Sequence, residues 1–187
     1  MIRRVIVTVA VALYAMSGFA AEIGGVKLPD QVTLEGKTLK LNGTGIRAAK
    51  ILFTFNVYAG GLYLETPGHD GDAIASSDQT KSIEMVFMRD TTAKQMADAI
   101  QEGFEKNCVA NCAAFKPDVS KLQGMLKDMK KGETMAYHFL SNGVEVMIRG
   151  QKAGTIGDKA FGHQFIRCWI GKNPPNAELK EGLLGKK

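Results

Sequence analysis

The sequence predicts an α+β domain in which helices cover one antiparallel β-sheet. Strand patterns dominate the first half of the chain, two amphipathic helical patterns follow, and the dipeptide Asn142-Gly143 then marks a hairpin before the last helices. Strands grouped in this way, with helices set apart from them, are typical of α+β domains. The 187 residues are 45% hydrophobic and 23% charged, which fits one globular domain.

The first 20 residues have the composition of a secretion signal. Arg3 and Arg4 precede an apolar run over residues 5–16, and small residues follow it. Gly18 and Ala20 occupy the −3 and −1 positions of a signal-peptidase site, so we predict cleavage after Ala20. The run is too short and too interrupted to span a bilayer.

Cleavage there leaves one mature domain, residues 21–187, which we expect to be periplasmic or secreted and to have no stable membrane anchor. The chain has 24 Lys and Arg against 19 Asp and Glu. Two of these positive charges, Arg3 and Arg4, belong to the signal segment. The remaining imbalance is too small for a nucleic-acid surface, which needs clustered basic residues.

Three segments of the mature chain read as strands. Residues 38–41 alternate, residues 51–64 form a long apolar run that is too β-branched and glycine-rich for a helix, and residues 82–88 are apolar on both faces. Residues 67–78 between them read as a loop with one short helical turn. Glycine inside a strand marks a bulge or a close approach of backbone, which we expect at Gly43, Gly45, Gly60 and Gly61.

Two amphipathic helices are expected next. Asp90-Thr91-Thr92 can cap the first helix, and Pro117-Asp118 opens the second. The apolar stripe of the first helix is Ala93, Met96, Ala97, Ile100 and Phe104. That of the second is Val119, Leu122, Met125, Leu126 and Met129.

The last part of the chain predicts a hairpin and two more helices. Residues 135–141 and 144–149 flank Asn142-Gly143 as strands. Asp158 can cap a helix that Gly171 ends, and a short helix over 177–184 closes the chain.

The cysteines predict one disulfide. Cys108 and Cys112 are four residues apart in an exported chain. A bridge between them would close a short loop and would add little to the stability of the fold. Cys168 is left over and is expected in the core. Zinc is the alternative, but three histidines lack metal-ligand spacing, so we predict no metal and no cofactor. These are His69, His138 and His163.

Arg47 is the one charged residue that a strand pattern places on the apolar side. It has the parity of Ala49 and Phe55 if the strand is unbulged. One interpretation is an edge arginine facing solvent. The other is an anion clamp, because the guanidinium fork matches a carboxylate and Tyr58 or Tyr63 could add a hydroxyl. No catalytic motif or carboxylate pair is recognisable, and we assign no catalytic residue.

A set of short motifs runs in order through nearly the whole mature chain. They are Leu41-Asn42-Gly43-Thr44-Gly45-Ile46-Arg47, Val57-Tyr58, Gly61-Leu62-Tyr63-Leu64-Glu65, Phe87-Met88-Arg89-Asp90, Ile156-Gly157-Asp158, Trp169-Ile170-Gly171 and Leu183-Leu184-Gly185. Together they resemble the bacterial chalcone isomerase-like proteins. The resemblance implies an open-faced β-sandwich, an antiparallel sheet backed by helices around a cleft.

The resemblance also implies roles for particular residues. The fold includes plant enzymes that cyclise chalcones and relatives that bind fatty acids, and Arg47 matches the arginine of both. Tyr58 looks similar to the tyrosine with which the fatty-acid binders hold a carboxylate. Met96 and Gly103 stand where the enzyme's helix supplies a tyrosine and an asparagine, so two catalytic hydrogen-bond donors are missing.

The expected function is therefore that of an exported, non-catalytic binding protein for a small amphipathic anion, plausibly a fatty acid. Arg47 would clamp the anion and Tyr58 would assist, although their opposite parity requires a bulge or adjacent strands. The alternatives are an isomerase or lyase of chalcone-like substrates and an interaction protein with a vestigial cleft. The protein partner is left open.

Overall fold

The computed structural model describes residues 19–50 and 52–186. Most of the predicted signal segment lies outside these residues, and cleavage after Ala20 stays a prediction. The strands are β1 (Phe19–Ile23), β2 (Val26–Pro29), β3 (Gln31–Leu34), β4 (Lys37–Lys50), β5 (Thr54–Leu64), β6 (Lys81–Phe87), β7 (Thr134–Leu140), β8 (Gly143–Ile148) and β9 (Gln151–Ile156). The helices are α1 (Gly71–Ser76), α2 (Ala93–Asn107), α3 (Lys116–Met125), α4 (Lys159–Phe165), α5 (Arg167–Ile170) and α6 (Ala177–Leu183).

The main sheet has seven antiparallel strands, and each pairs with the next along the chain from β3 to β9. Strands β1 and β2 form a separate hairpin. One core cluster joins the sheet to the helices through residues such as Ile83, Phe104 and Phe165. The predicted α+β architecture is confirmed. None of the helices among the described residues is long and apolar enough to cross a bilayer.

Strand β5 covers residues 54–64 of the long apolar run, and Leu52 and Phe53 before it lie in a turn. Strand β4 ends at Lys50 and β5 begins at Thr54, and the two pair antiparallel around a short turn that contains Leu52 and Phe53. The unbulged strand that would run from Arg47 through Phe55 is therefore not formed. Apolar residues at the tip of a hairpin mimic a strand in the sequence, because their pattern does not show where the chain reverses.

Helix α2 begins and packs as predicted. The Thr92 hydroxyl accepts from the Gln95 amide and the Gln95 side chain accepts from the Thr92 amide, which completes a capping box. The buried face carries Met96, Ile100 and Phe104.

The second predicted helix is shorter than its apolar stripe. Helix α3 ends at Met125, and Met129 pairs instead with the backbone of Thr91 in an isolated bridge. Leu126 and Met129 are still buried. The apolar stripe therefore predicts correctly which side chains are buried. It predicts the end of the helix wrongly, because the non-helical backbone after Met125 buries Leu126 and Met129 as well.

The hairpin near Asn142 is confirmed, with the turn one residue earlier than its motif. Leu140 pairs with Gly143, so Ser141 and Asn142 form the turn. Strand β9 was not predicted. The helix that Asp158 caps is divided at Ile166 into α4 and α5, and it ends at Gly171 as expected.

Helix α6 packs against β4 where glycine leaves room for it. A Cβ on Gly45 would lie 2.7 Å from the Leu179 carbonyl oxygen, and one on Gly43 would meet the backbone of Gly182. The expectation of a close backbone approach is confirmed at Gly43 and Gly45. It is wrong at Gly60 and Gly61, where the pairing is regular and the atom nearest a Cβ would belong to a side chain.

Candidate functional site

A cleft of about 390 Å³ lies between the sheet, α2 and the segment that follows α5. This volume is within the range of about 300–1,000 Å³ that suits small-molecule sites. Its floor is buried and mainly apolar, and its rim is exposed. The floor includes Met85, Phe87, Met96, Ile100, Met135, Tyr137, Cys168 and Trp169, and the exposed rim includes Arg89, Gln95, Ala99, Glu102, Lys106, Asn173 and Pro175.

Arg47 and Tyr58 face each other directly across β4 and β5, and both line the cleft. The register shifts beside this pair, where Ala48 pairs with Asn56, so Val57 is an extra residue in β5. The bulge changes the parity of β5 and turns both Phe55 and Tyr58 towards the cleft. The sequence required either a bulge or adjacent strands for Arg47 and Tyr58 to meet. The structure has both, because the two residues lie on adjacent strands and a bulge lies beside them.

The backbone on each side of Arg47 is held by one side chain. The Asn176 carboxamide accepts from the Ala48 amide and donates to the Ile46 carbonyl, both at 3.1 Å. The Arg47 guanidinium itself donates to the Ala48 carbonyl. Asn176 stands at the start of α6, so the packing of this helix fixes the strand position from which Arg47 reaches the cleft.

Tyr58 is oriented by Trp169. The indole Nε1 donates to the Tyr58 hydroxyl oxygen at 2.9 Å. Because an indole can only donate, the Tyr58 proton stays available to an acceptor in the cleft. Burial raises the pKa of Tyr58 to about 12, and the Trp169 hydrogen bond and the Arg47 charge oppose this rise only in part. Tyr58 is therefore a neutral hydrogen-bond donor at physiological pH.

Tyr137 adds a second hydroxyl to the floor. Its side chain is 2% exposed, and its ring packs on Phe165 and Trp169 with centroids 5.0 and 5.4 Å apart. Within the described part of the chain, no hydrogen bond occupies its hydroxyl. Burial raises the pKa of Tyr137 well above its usual value, so this group is also neutral.

The charges around the cleft are mostly positive. Arg47, Arg89 and Lys106 line it together with one carboxylate, Glu102. Glu102 pairs with Lys106 at 2.5 Å, and the Arg89 guanidinium lies 4.2 Å from the centroid of the Phe55 ring. A cleft with this balance of charge favours an anionic ligand.

The sequence model of the chalcone isomerase-like family matches residues 20–185. The chain belongs to this family. Among solved structures, a fatty-acid binding protein of Arabidopsis thaliana has a similar fold, with a TM-score of 0.67 and 13% sequence identity over 87% of this chain and 93% of the other. No protein of curated function matches the chain in sequence.

Met96 and Gly103, the two positions at which the resemblance implied missing hydrogen-bond donors, both line the cleft. The Met96 thioether cannot donate a hydrogen bond, and Gly103 has no side chain. Gly103 also lies beside Cys168, since a Cβ on Gly103 would be 3.5 Å from the Cys168 sulfur.

The cysteines are arranged as predicted. A disulfide joins Cys108 and Cys112 after the end of α2, and Cys168 is buried and free. Burial raises the pKa of the Cys168 thiol far above its usual value, so it is not a reactive thiolate. Within residues 19–50 and 52–186, no group of three or more potential ligands is placed to hold a metal ion.

Sequence reasoning missed three members of the site: Tyr137, Trp169 and Asn176. Tyr63, the alternative to Tyr58, donates instead to the Pro29 carbonyl outside the cleft. Trp169 is the one tryptophan of the sequence and lies on the helix that Asp158 was expected to cap, so its indole N–H was the signal that marked it as a donor. Nothing in the sequence around Tyr137 or Asn176 indicates which side chain or backbone segment each would meet.

Proposed function

We propose that this chalcone isomerase-like protein is an exported, non-catalytic binder of a small amphipathic carboxylate, with fatty acids as the leading ligand class. The observation that carries the proposal is the pair formed by Arg47 and Tyr58 beside an apolar floor. A guanidinium and a neutral phenol can hold one carboxylate together, while the floor accepts an acyl chain. The fatty-acid binding protein with a similar fold supports this ligand class.

The apolar floor supplies most of the binding free energy in this account. Burial of about ten methylenes contributes about 8 kcal/mol before costs. Hydrogen bonds to a charged group contribute about 1.5–3 kcal/mol. Arg47 and Tyr58 therefore set the orientation and the preference for an acid, and the cavity sets the affinity for the chain.

The same groups argue against catalysis of a chalcone-type cyclisation. Tyr58 keeps its proton at neutral pH because its pKa is about 12, so it is a poor general base. Met96 and Gly103 provide no donor for a developing oxyanion. We expect no turnover of chalcones above the uncatalysed rate.

Native mass spectrometry of protein expressed with its leader in a Gram-negative host tests the proposal. We expect a polypeptide that begins at Ala21 and releases a fatty acid on denaturation. The Arg47→Ala variant should fold and be exported but carry far less of the acid. The same acid content in both proteins would contradict the clamp, and measurable turnover of a chalcone would restore the enzyme hypothesis.

A further inference from the structure

Two large apolar side chains project into solvent at the turn between β4 and β5. Leu52 is 85% exposed and Phe53 is 81% exposed. Among the described residues, Val109 is the one other large hydrophobic residue of comparable exposure, at 68%. Single exposed apolar residues are common, but an adjacent pair at a hairpin tip is a local apolar patch. We call Leu52 and Phe53 the β4–β5 tip.

The β4–β5 tip is continuous with the cleft. Ala49 and Phe55 pair across the two strands and both line the cleft, and Lys50 and Thr54 form the last pair before the turn. A strand advances about 3.3 Å per residue, so the tip is about 10 Å or less along the hairpin from the cleft lining.

Two basic residues lie near the β4–β5 tip. Lys50 and Arg89 are exposed, and neither forms a salt bridge within the described residues. Arg89 lies over the Phe55 ring, which places its charge at the same end of the hairpin. Apolar side chains bordered by cations match the chemistry of an anionic lipid surface, where the rings and aliphatic groups enter the acyl region and the cations meet headgroups.

We propose that the β4–β5 tip docks the protein on anionic membrane surfaces, with Leu52 and Phe53 inserted and Lys50 and Arg89 at the headgroups. Docking in this orientation places the cleft beside the bilayer. An amphipathic ligand could then pass directly between the bilayer and the cleft. This role of docking rests on the proposed function. The docking itself does not need a ligand.

Flotation with vesicles tests the docking with the mature protein. We expect binding to vesicles of phosphatidylethanolamine and phosphatidylglycerol (3:1) and weaker binding to phosphatidylcholine vesicles. The double variant Leu52→Ser/Phe53→Ser should lose about tenfold or more in partitioning, because two apolar side chains no longer leave water. Val109→Ser is the matched control and should partition as the unchanged protein does. Lys50→Gln should weaken binding to the anionic vesicles alone.

A second measurement reports insertion directly. Brominated lipids should quench a tryptophan placed at the tip by Phe53→Trp, whereas Trp169, which is buried, provides the unquenched reference in the unchanged protein. The proposal is overturned if the unchanged protein does not float with anionic vesicles, or if the double variant floats equally well. It is also overturned if the double variant converts a dimer into a monomer without affecting flotation, since the tip would then be a contact between two copies.

Membrane docking and fatty-acid binding can be disproved independently of each other. The double variant should bind dodecanoate in solution with unchanged affinity, because neither residue lines the cleft. Loss of flotation with retained dodecanoate binding supports docking. Absence of flotation in a protein that binds dodecanoate overturns the docking alone, and flotation of a protein that binds no fatty acid overturns the proposed function alone.

Discussion

At the scale of single residues, the site depends on how the Tyr58 hydroxyl and the backbone beside Arg47 are held. Trp169 donates to Tyr58, which leaves the Tyr58 proton for the ligand, and Asn176 holds the backbone on both sides of Arg47. Glu102 is the acidic side chain that lines the cleft together with Arg47, and it pairs with Lys106. The two donors are thus positioned before a carboxylate arrives, which reduces the ordering that binding must bring about.

The Tyr58 hydroxyl can be tested against its orienting partner. Tyr58→Phe should lower the affinity for dodecanoate by about 10- to 150-fold, the equivalent of one hydrogen bond to a charged group of about 1.5–3 kcal/mol. Trp169→Phe should cost less, because the hydroxyl remains but loses its fixed direction. Isothermal titration calorimetry of both single variants and the double variant gives the coupling between the two residues.

The double variant is expected to lose less affinity than the two single variants together, because the Trp169 indole N–H acts through the Tyr58 hydroxyl. The Trp169 ring also lines the floor, and phenylalanine keeps an aromatic ring there. If the two losses instead add in full, the hydrogen bond between Trp169 and Tyr58 does not contribute to binding.

At the scale of elements, the contact between α6 and β4 decides where Arg47 stands. This contact is possible because Gly43 and Gly45 bring the backbone of β4 against the helix. The glycines were recognisable in the sequence as places of close approach, but the partner was not, since α6 is more than 130 residues away along the chain. The same limit explains the turn at Leu52 and Phe53, where local pattern favoured a continuous strand and the pairing of β4 with β5 produced a hairpin.

Gly45→Ala should destabilise the fold. The new Cβ would lie 2.7 Å from the Leu179 carbonyl oxygen and 2.9 Å from the Leu179 Cα, so strand and helix must separate. We expect a loss of about 1–3 kcal/mol in the free energy of unfolding, measured by urea denaturation. Gly124→Ala in α3 is the matched control, because no atom beyond its chain neighbours and the backbone of its own helix lies within 4 Å of its Cβ position.

The control should leave stability unchanged or raise it by up to about 1 kcal/mol, as alanine favours helix. Equal stability of Gly45→Ala and the unchanged protein would show that α6 tolerates displacement, and the account of how Arg47 is positioned would then fail.

At the scale of the whole molecule, the α+β class, most of the elements and the family could be predicted, whereas most of the residues that line the cleft could not. Strand alternation, the capping residues of α2 and the hairpin near Asn142 depend on local sequence, and all three were confirmed in outline. The floor of the cleft combines β5, β6, β7, α2 and α5, so residues such as Tyr137 become site residues only when the sheet and helices meet. The motifs that resemble the family pointed to Arg47 and Tyr58, and the structure pairs these two residues across β4 and β5 beside the cleft. Family likeness carries a three-dimensional arrangement that a single pattern lacks.

The central claim is that Arg47 recognises the charge of the ligand, and one comparison tests it most directly. The affinities of dodecanoate and dodecanol are measured by calorimetry for the unchanged protein, Arg47→Gln and the rim control Arg89→Gln. The unchanged protein should prefer the acid by about 10- to 150-fold, the equivalent of about 1.5–3 kcal/mol. In Arg47→Gln this preference should vanish while the alcohol binds as before, and in Arg89→Gln it should largely remain. An unchanged preference for the acid in Arg47→Gln would contradict the account.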